Sequence, residues 1–248
     1  MKIKSTRVYV TGNFIPCVLD IEGKTIKQIL PYDTEADVDY KDLRIVPGFI
    51  DIHCHGAYGY DTNDGEPEGL KNWTKNIVQE GVVGLLSTTL TQYKSVLMKA
   101  VKNVADVVKE DDYEGARILG IHFEGPYLDM KWKGAQPPEA IVSPSVEEFK
   151  EYQEAADNLI KIITMAPEHD PEFALTRYAS QHGTIVSIGH SNATFQEAMM
   201  AVANGASSVT HTYNAQTPFT HRANGIVGLA FRLHDMYSEV ICDCNHST

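Results

Sequence analysis

Pro47-Gly48-Phe49-Ile50-Asp51-Ile52-His53-Cys54-His55-Gly56 is an apolar run that ends in two histidines spaced i and i+2, followed by a glycine. On a strand, successive side chains alternate faces, so His53 and His55 project on the same side. Two imidazoles on one face at a strand end can chelate one divalent metal. Most His pairs of this kind are surface or hydrogen-bonded residues without a metal. The reading therefore turns on whether other strands also end in potential ligands.

On the N-terminal side of this run, residues 7–10, 17–21 and 25–30 read as short β segments between Gly, Pro, Asn and Asp. From residue 45 onward the rhythm is strand, then helix, repeatedly. Strands are predicted over 45–53, 83–90, 117–123, 159–165, 184–188, 207–212 and 239–242. Helices are predicted over 66–80, 95–109 and 171–181, with a further start at the capping box that Ser145 opens, and another at Thr194. Regular alternation of this kind points to an α/β fold with a parallel sheet. Closed, it is a (β/α)8 TIM-type barrel; left open, it is a doubly wound sheet. Barrel enzymes draw catalytic groups from the C-terminal ends of several strands, and here polar groups do sit at such ends. No GxGxxG or Walker A motif follows a strand, which argues against a nucleotide cofactor. The reading divides the chain into a small β domain over 1–45 and a barrel domain over 46–248. It counts seven barrel strands, so an eighth strand and its helix are missing.

Three further strand ends carry candidate ligands. Ile121-His122-Phe123-Glu124-Gly125-Pro126 offers Glu124 beside a Gly-Pro turn, either as a metal ligand or as a carboxylate capping backbone N–H groups. His122 shares its face and can act as a partner behind the site. Ser187-Ile188-Gly189-His190-Ser191 and Thr210-His211-Thr212-Tyr213-Asn214-Ala215 each place one histidine at a strand end. Alone, either histidine would more often be structural. Together, four histidines and a glutamate form an N/O set suited to Zn²⁺, and also to Fe²⁺, Co²⁺ or Mn²⁺. A metal in such a site gives hydroxide near pH 7 and polarises a carbonyl, which implies hydrolysis of an amide or related bond. GxSxG is absent, so a serine-hydrolase reading is weak.

The chain has 248 residues and a formal net charge of −12, which argues against a sequence-independent nucleic-acid partner. A small anionic substrate needs only a local cationic pocket. Cys17, Cys54, Cys242 and Cys244 fit no disulfide scaffold and no paired zinc knuckle. Cys242 and Cys244 share a face of the predicted strand, where two thiols can bind a metal, but buried reduced thiols are the preferred reading. No signal peptide and no membrane-spanning run are read, so the expected location is the cytoplasm, with no membrane partner.

Five segments, PGFIDIHCHG (47–56), HFEGPYLDMKWKGAQ (122–136), GHSNAT (189–194), THTYNAQTPFTHRANGIVG (210–228) and DCNH (243–246), resemble the amidohydrolase superfamily, and within it the N-acetylglucosamine-6-phosphate deacetylase family. The resemblance implies a metal-dependent barrel that removes the acetyl group of the amino sugar phosphate, by attack of metal-bound hydroxide, to give glucosamine 6-phosphate and acetate. It implies Glu124, His190 and His211 as principal metal ligands, with His53 and His55 holding a second ion in the variant that keeps the HxH. Zinc is the first expectation, as one or two ions. Gln136 falls where other members have a histidine contacting the sugar. Asn214 and Ala215 resemble substrate contacts, with backbone N–H groups near the phosphate. Arg222 resembles the phosphate-binding arginine that family dimers supply from the neighbouring subunit, which implies a homodimer at full length. Read alone, Arg222 is a loop residue with a surface carboxylate partner. His246 resembles a further substrate-contacting histidine.

The family's general acid/base, an aspartate at the end of the eighth strand, has no counterpart before Thr248, and Asp243 belongs to the seventh-strand motif. The family also completes its small β-sandwich-like domain with C-terminal strands that are absent here. The resemblance therefore leads to the expectation of a truncated family member with no catalytic residue of its own. Two competing readings are a non-catalytic remnant binding metal or sugar phosphate, and another amidohydrolase of deaminase or dihydroorotase type.

Overall fold

The computed structural model describes residues 1–246. It divides into two compact units, Met1–Phe49 and Ile50–Thr248. The division falls four residues later than the sequence rhythm suggests. Residues 44–45 pair with the N-terminal sheet, and Pro47, which has no backbone N–H, follows them.

The first unit is a five-stranded sheet. Strands β1 (Lys2–Val10), β2 (Asn13–Glu22) and β3 (Thr25–Pro31) form an antiparallel meander in the order β3-β2-β1. The short β4 (Val38–Asp39) and β5 (Arg44–Ile45) run parallel to β1. Its core is small: Val8, Cys17 and Leu19.

The second unit alternates strand and helix. Its strands are β6 (Phe49–Cys54), β7 (Val82–Thr89), β8 (Arg117–Glu124), β9 (Ile160–Met165), β10 (Ile185–Ile188), β11 (Ala206–Val209) and β12 (Tyr237–Ser238). Between them lie α1 (Pro67–Ile77), α2 (Lys94–Glu110), α3 (Val146–Ala155), α4 (Ala174–Gln181), α5 (Phe195–Ala203) and α6 (Gly225–Arg232). The seven strands lie side by side in chain order, from β6 to β12. Every pairing from β7 to β12 is parallel. A doubly wound sheet would reverse its order at a switch point; an unbroken sequential order is barrel topology.

The period-two pattern of β8 places the site. Ile121 and Phe123 point outward and are fully buried against the helical layer, Phe123 with its ring centroid 4.7 Å from that of Tyr152 on α3. His122 and Glu124, one residue out of phase, project to the opposite face. The helices bury Leu70 and Trp73 of α1, and Leu97, Val101 and Val104 of α2.

Two expectations are corrected. The predicted 239–242 strand is displaced to Tyr237–Ser238, because β11 has only Ser208 and Val209 left to pair before the chain turns at His211, φ 29°. In consequence Cys242 and Cys244, expected as buried thiols, are exposed, whereas Cys17 is buried. Helix α6 went unread because two glycines interrupt its apolar run. A Cβ on Gly228 would stand 2.6 Å from the Asn224 Cβ and 3.0 Å from the Phe219 ring, so this helix requires a glycine there.

Candidate metal centre

Glu124 closes β8 and is almost fully buried. Its Oε1 lies 3.1 Å from His190 Nε2, 3.3 Å from His211 Nε2 and 3.4 Å from His53 Nε2. Its Oε2 lies 3.4 Å from His55 Nε2 and accepts a hydrogen bond of 2.7 Å from the Gln136 amide. Four histidines, from β6 and its end and from just past β10 and β11, thus converge on the one carboxylate that closes β8.

His190 and His211 stand just past the ends of β10 and β11 with φ of 48° and 29°. Few non-glycine residues adopt this left-handed region, and such strain gathers where a side chain must be aimed. Space at the turn before His190 is equally tight. A Cβ on Gly189 would lie 2.7 Å from the Thr210 Cβ and 2.8 Å from the Thr164 Cγ2.

The hydrogen bonds behind the rings fix their tautomers. His190 Nδ1 donates to the Trp132 carbonyl at 2.9 Å, and His211 Nδ1 to the Asn214 carbonyl at 3.1 Å. His55 Nδ1 faces the Thr88 carbonyl at 3.3 Å. With the ring protons on Nδ1, the Nε2 lone pairs of His190 and His211 face each other at 3.1 Å, beside a carboxylate oxygen. Three electron-rich atoms this close repel unless a cation lies among them. Bonds of 2.0–2.1 Å to a tetrahedral ion place its ligand atoms roughly 3.3–3.4 Å apart, and the observed edges of 3.1, 3.1 and 3.3 Å fit that polyhedron. His53, His55 and Glu124 form a second group of converging ligand atoms beside the first.

The electrostatics follow from burial and pairing. Burial alone would push Glu124 up, but the close imidazoles of His190, His211 and His53 outweigh it and hold the carboxyl well below its usual value. Burial opposes charge on His53, yet Glu124 and Glu239 together raise its pKa to about 10. His55 is lowered, chiefly by burial. His122 is driven to about 4 by complete burial and by the neighbouring His53.

The substrate-contact candidates lie in different settings. Gln136 is buried, its Oε1 accepting the Thr91 N–H at 2.7 Å while its amide donates to Glu124. Its polar atoms thus hold Glu124. Asn214 holds His211 through its carbonyl, and its side-chain Nδ2 is buried without a hydrogen-bond partner. Ala215 adopts φ 49° and its carbonyl accepts the Ser191 N–H. Arg222 is exposed in the loop before α6; the arginine–carboxylate pairs among the described residues belong to Arg7 and Arg117. His246 is exposed and its Nδ1 lies 2.7 Å from Asp243 Oδ2. Backbone N–H groups of His246 and Asn245, then the His246 ring, hold Asp243 far below the usual carboxylate range.

Glu239 was not anticipated. It follows β12, and its Oε2 lies 2.8 Å from His53 Nδ1. No spacing ties it to a histidine in the sequence; only the pairing of β12 with β11 brings it there.

Sequential parallel strands whose C-terminal ends converge on a histidine–glutamate cluster define a TIM barrel of the amidohydrolase type. The comparisons agree. The chain is 40% identical over 219 residues to the N-acetylglucosamine-6-phosphate deacetylase of Bacillus subtilis (strain 168), covering 88% of this chain and 55% of that protein. A crystal structure of the deacetylase from Pasteurella multocida matches with a TM-score of 0.86 at 30% identity, over 99% of this chain and 66% of that one. A mutant of the Mycobacterium smegmatis enzyme, in complex with N-acetyl-D-glucosamine-6-phosphate, matches with a TM-score of 0.93 at 25% identity, over 99% of this chain and 64% of that one. No family model matches the chain. The chain belongs to the N-acetylglucosamine-6-phosphate deacetylase family and spans about half the length of the curated relatives it matches.

Proposed function

We propose that this chain carries the metal-binding part of an N-acetylglucosamine-6-phosphate deacetylase, a hydrolase that releases acetate from the amino sugar phosphate. The observation that carries the reading is the triangle of Glu124 Oε1, His190 Nε2 and His211 Nε2, with edges of 3.1–3.3 Å and both ring protons committed elsewhere. Glu124, His190 and His211 would hold a first ion, and His53 and His55, with Glu124 beside them, would hold a second. Two or three imidazoles with one carboxylate favour zinc over magnesium or calcium, and Fe²⁺, Co²⁺ and Mn²⁺ share this ligand chemistry. A divalent ion there lowers the pKa of a water molecule and polarises a carbonyl.

The chain's own residues do the remaining work assigned here. Glu124 supplies the negative charge, and its second oxygen is steadied by Gln136. Trp132 and Asn214 hold the two principal rings through backbone carbonyls. The exposed Arg222 offers a guanidinium fork to a phosphate, the pairing such a fork forms best, and in the proposed homodimer it reaches the neighbouring subunit's site. Asn214, Ala215 and His246 complete the sugar-phosphate contacts. Asp243 is spent on His246 and is a poor proton acceptor. The proposed compartment is the cytoplasm.

The test is metal content joined to turnover. Chain purified without chelator should retain a divalent metal by mass spectrometry, and Glu124→Gln should lose nearly all of it. Acetate release from N-acetylglucosamine 6-phosphate, measured on the longest available form of the protein, should vanish in the same variant. Metal-free wild-type protein, inert toward the sugar phosphate, would count against the proposal. Metal retention without turnover would favour a binding role.

A further inference from the structure

We infer that Glu239 is the positioning residue for His53 and thereby sets the affinity of the second ion. This rests on the two-ion reading above.

The backbone pins Glu239 on both sides. Its N–H donates to the Val209 carbonyl at 2.9 Å and its carbonyl accepts the Thr212 N–H at 2.7 Å. The side chain is turned inward and is only 13% exposed. Oε2 faces His53 Nδ1 at 2.8 Å and also accepts the backbone N–H of His211 at 3.3 Å. Oε1 is buried with no hydrogen-bond partner. A buried, half-satisfied carboxylate is costly, and one kept in a native structure calls for an explanation beyond packing.

The four ligand histidines are not held alike. His55, His190 and His211 place Nδ1 against neutral backbone carbonyls. His53 alone places Nδ1 against a carboxylate. That contact fixes the proton on Nδ1 when the ring binds a metal, and leaves the Nε2 lone pair toward Glu124 Oε1, 3.4 Å away. A carboxylate behind a ligating imidazole also raises its basicity, and loss of such a partner weakens metal binding 10- to 100-fold. His122, whose ring lies 4.4 Å from that of His53, does not compete for this carboxylate. Both its nitrogens are occupied, by the Ile52 carbonyl and the Thr164 hydroxyl.

The experiment is a cobalt titration of the full chain, followed by calorimetry and by the visible d–d absorption of each bound equivalent. The unmodified chain should take two equivalents. In Glu239→Ala the second should bind about 10- to 100-fold more weakly and change its absorption, while the first stays within about threefold. Glu239→Gln keeps an acceptor oxygen and loses the charge; it should give a smaller loss confined to the second equivalent, and it serves if the alanine variant does not fold. A purely structural Glu239, acting through the His211 N–H, would weaken both equivalents alike, and that result overturns the inference. So does an unchanged second equivalent in both variants. A single equivalent in the unmodified chain overturns the two-ion reading and this inference with it.

Discussion

His122 is fully buried beside the candidate ligands, with both ring nitrogens hydrogen-bonded elsewhere. Its Nδ1 donates to the Ile52 carbonyl at 2.8 Å and its Nε2 accepts from the Thr164 hydroxyl at 2.7 Å. The Thr164 hydroxyl continues to Thr210 at 2.7 Å, and Thr210 to Ser187 at 2.6 Å, so a chain of hydroxyls ties four neighbouring strands together beneath the site. Thr164→Val keeps the shape and leaves the His122 lone pair unpaired. It should cost about 1–3 kcal/mol in denaturant unfolding while metal content stays at the wild-type level. At this scale much was legible. Glu124, the HxH pair and the two strand-end histidines stand out because ligand types recur where strands end. Gln136 was read as a substrate contact, but its reach to Glu124 depends on how a loop folds back, which residue type does not state. Glu239 left no local signal at all.

Each candidate ligand is aimed by the end of an element. β8 delivers Glu124 by strand alternation, whereas β10 and β11 deliver His190 and His211 through left-handed residues immediately after pairing ceases. Alternation is written in the sequence, and the strands were found within a few residues. The left-handed turns are not, because histidine carries no mark of them. Amphipathic helices α1 to α5 were legible from their 3.6-residue periodicity or their caps. Trp73 of α1 is fully buried under this rule and lies on the helical layer. Trp73→Ala should destabilise the chain by about 3–5 kcal/mol in thermal or chemical unfolding and leave the stoichiometry of bound metal unchanged.

For the whole molecule, the metal reading predicts a stability link. An ion that binds only the folded state stabilises it by mass action, about 2.7 kcal/mol at a hundredfold excess over Kd. A chelator should therefore lower Tm, and readdition of zinc should restore it; Glu124→Gln should abolish the response in a scanning calorimeter. No helix among the described residues is long and apolar enough to cross a membrane. The sequence by itself determined the alternation of strands and helices and the N-terminal β unit, and it singled out the four histidines and the glutamate that the structure brings together. These depend on periodicity and residue type, which are local properties of the chain. Only the tertiary structure decided that the seven strands keep chain order, that four histidines meet on the Glu124 carboxylate, and that Glu239 stands behind His53. The contact between His53 and Glu239 spans 186 residues of chain, and it exists because the curling sheet brings distant strand ends together.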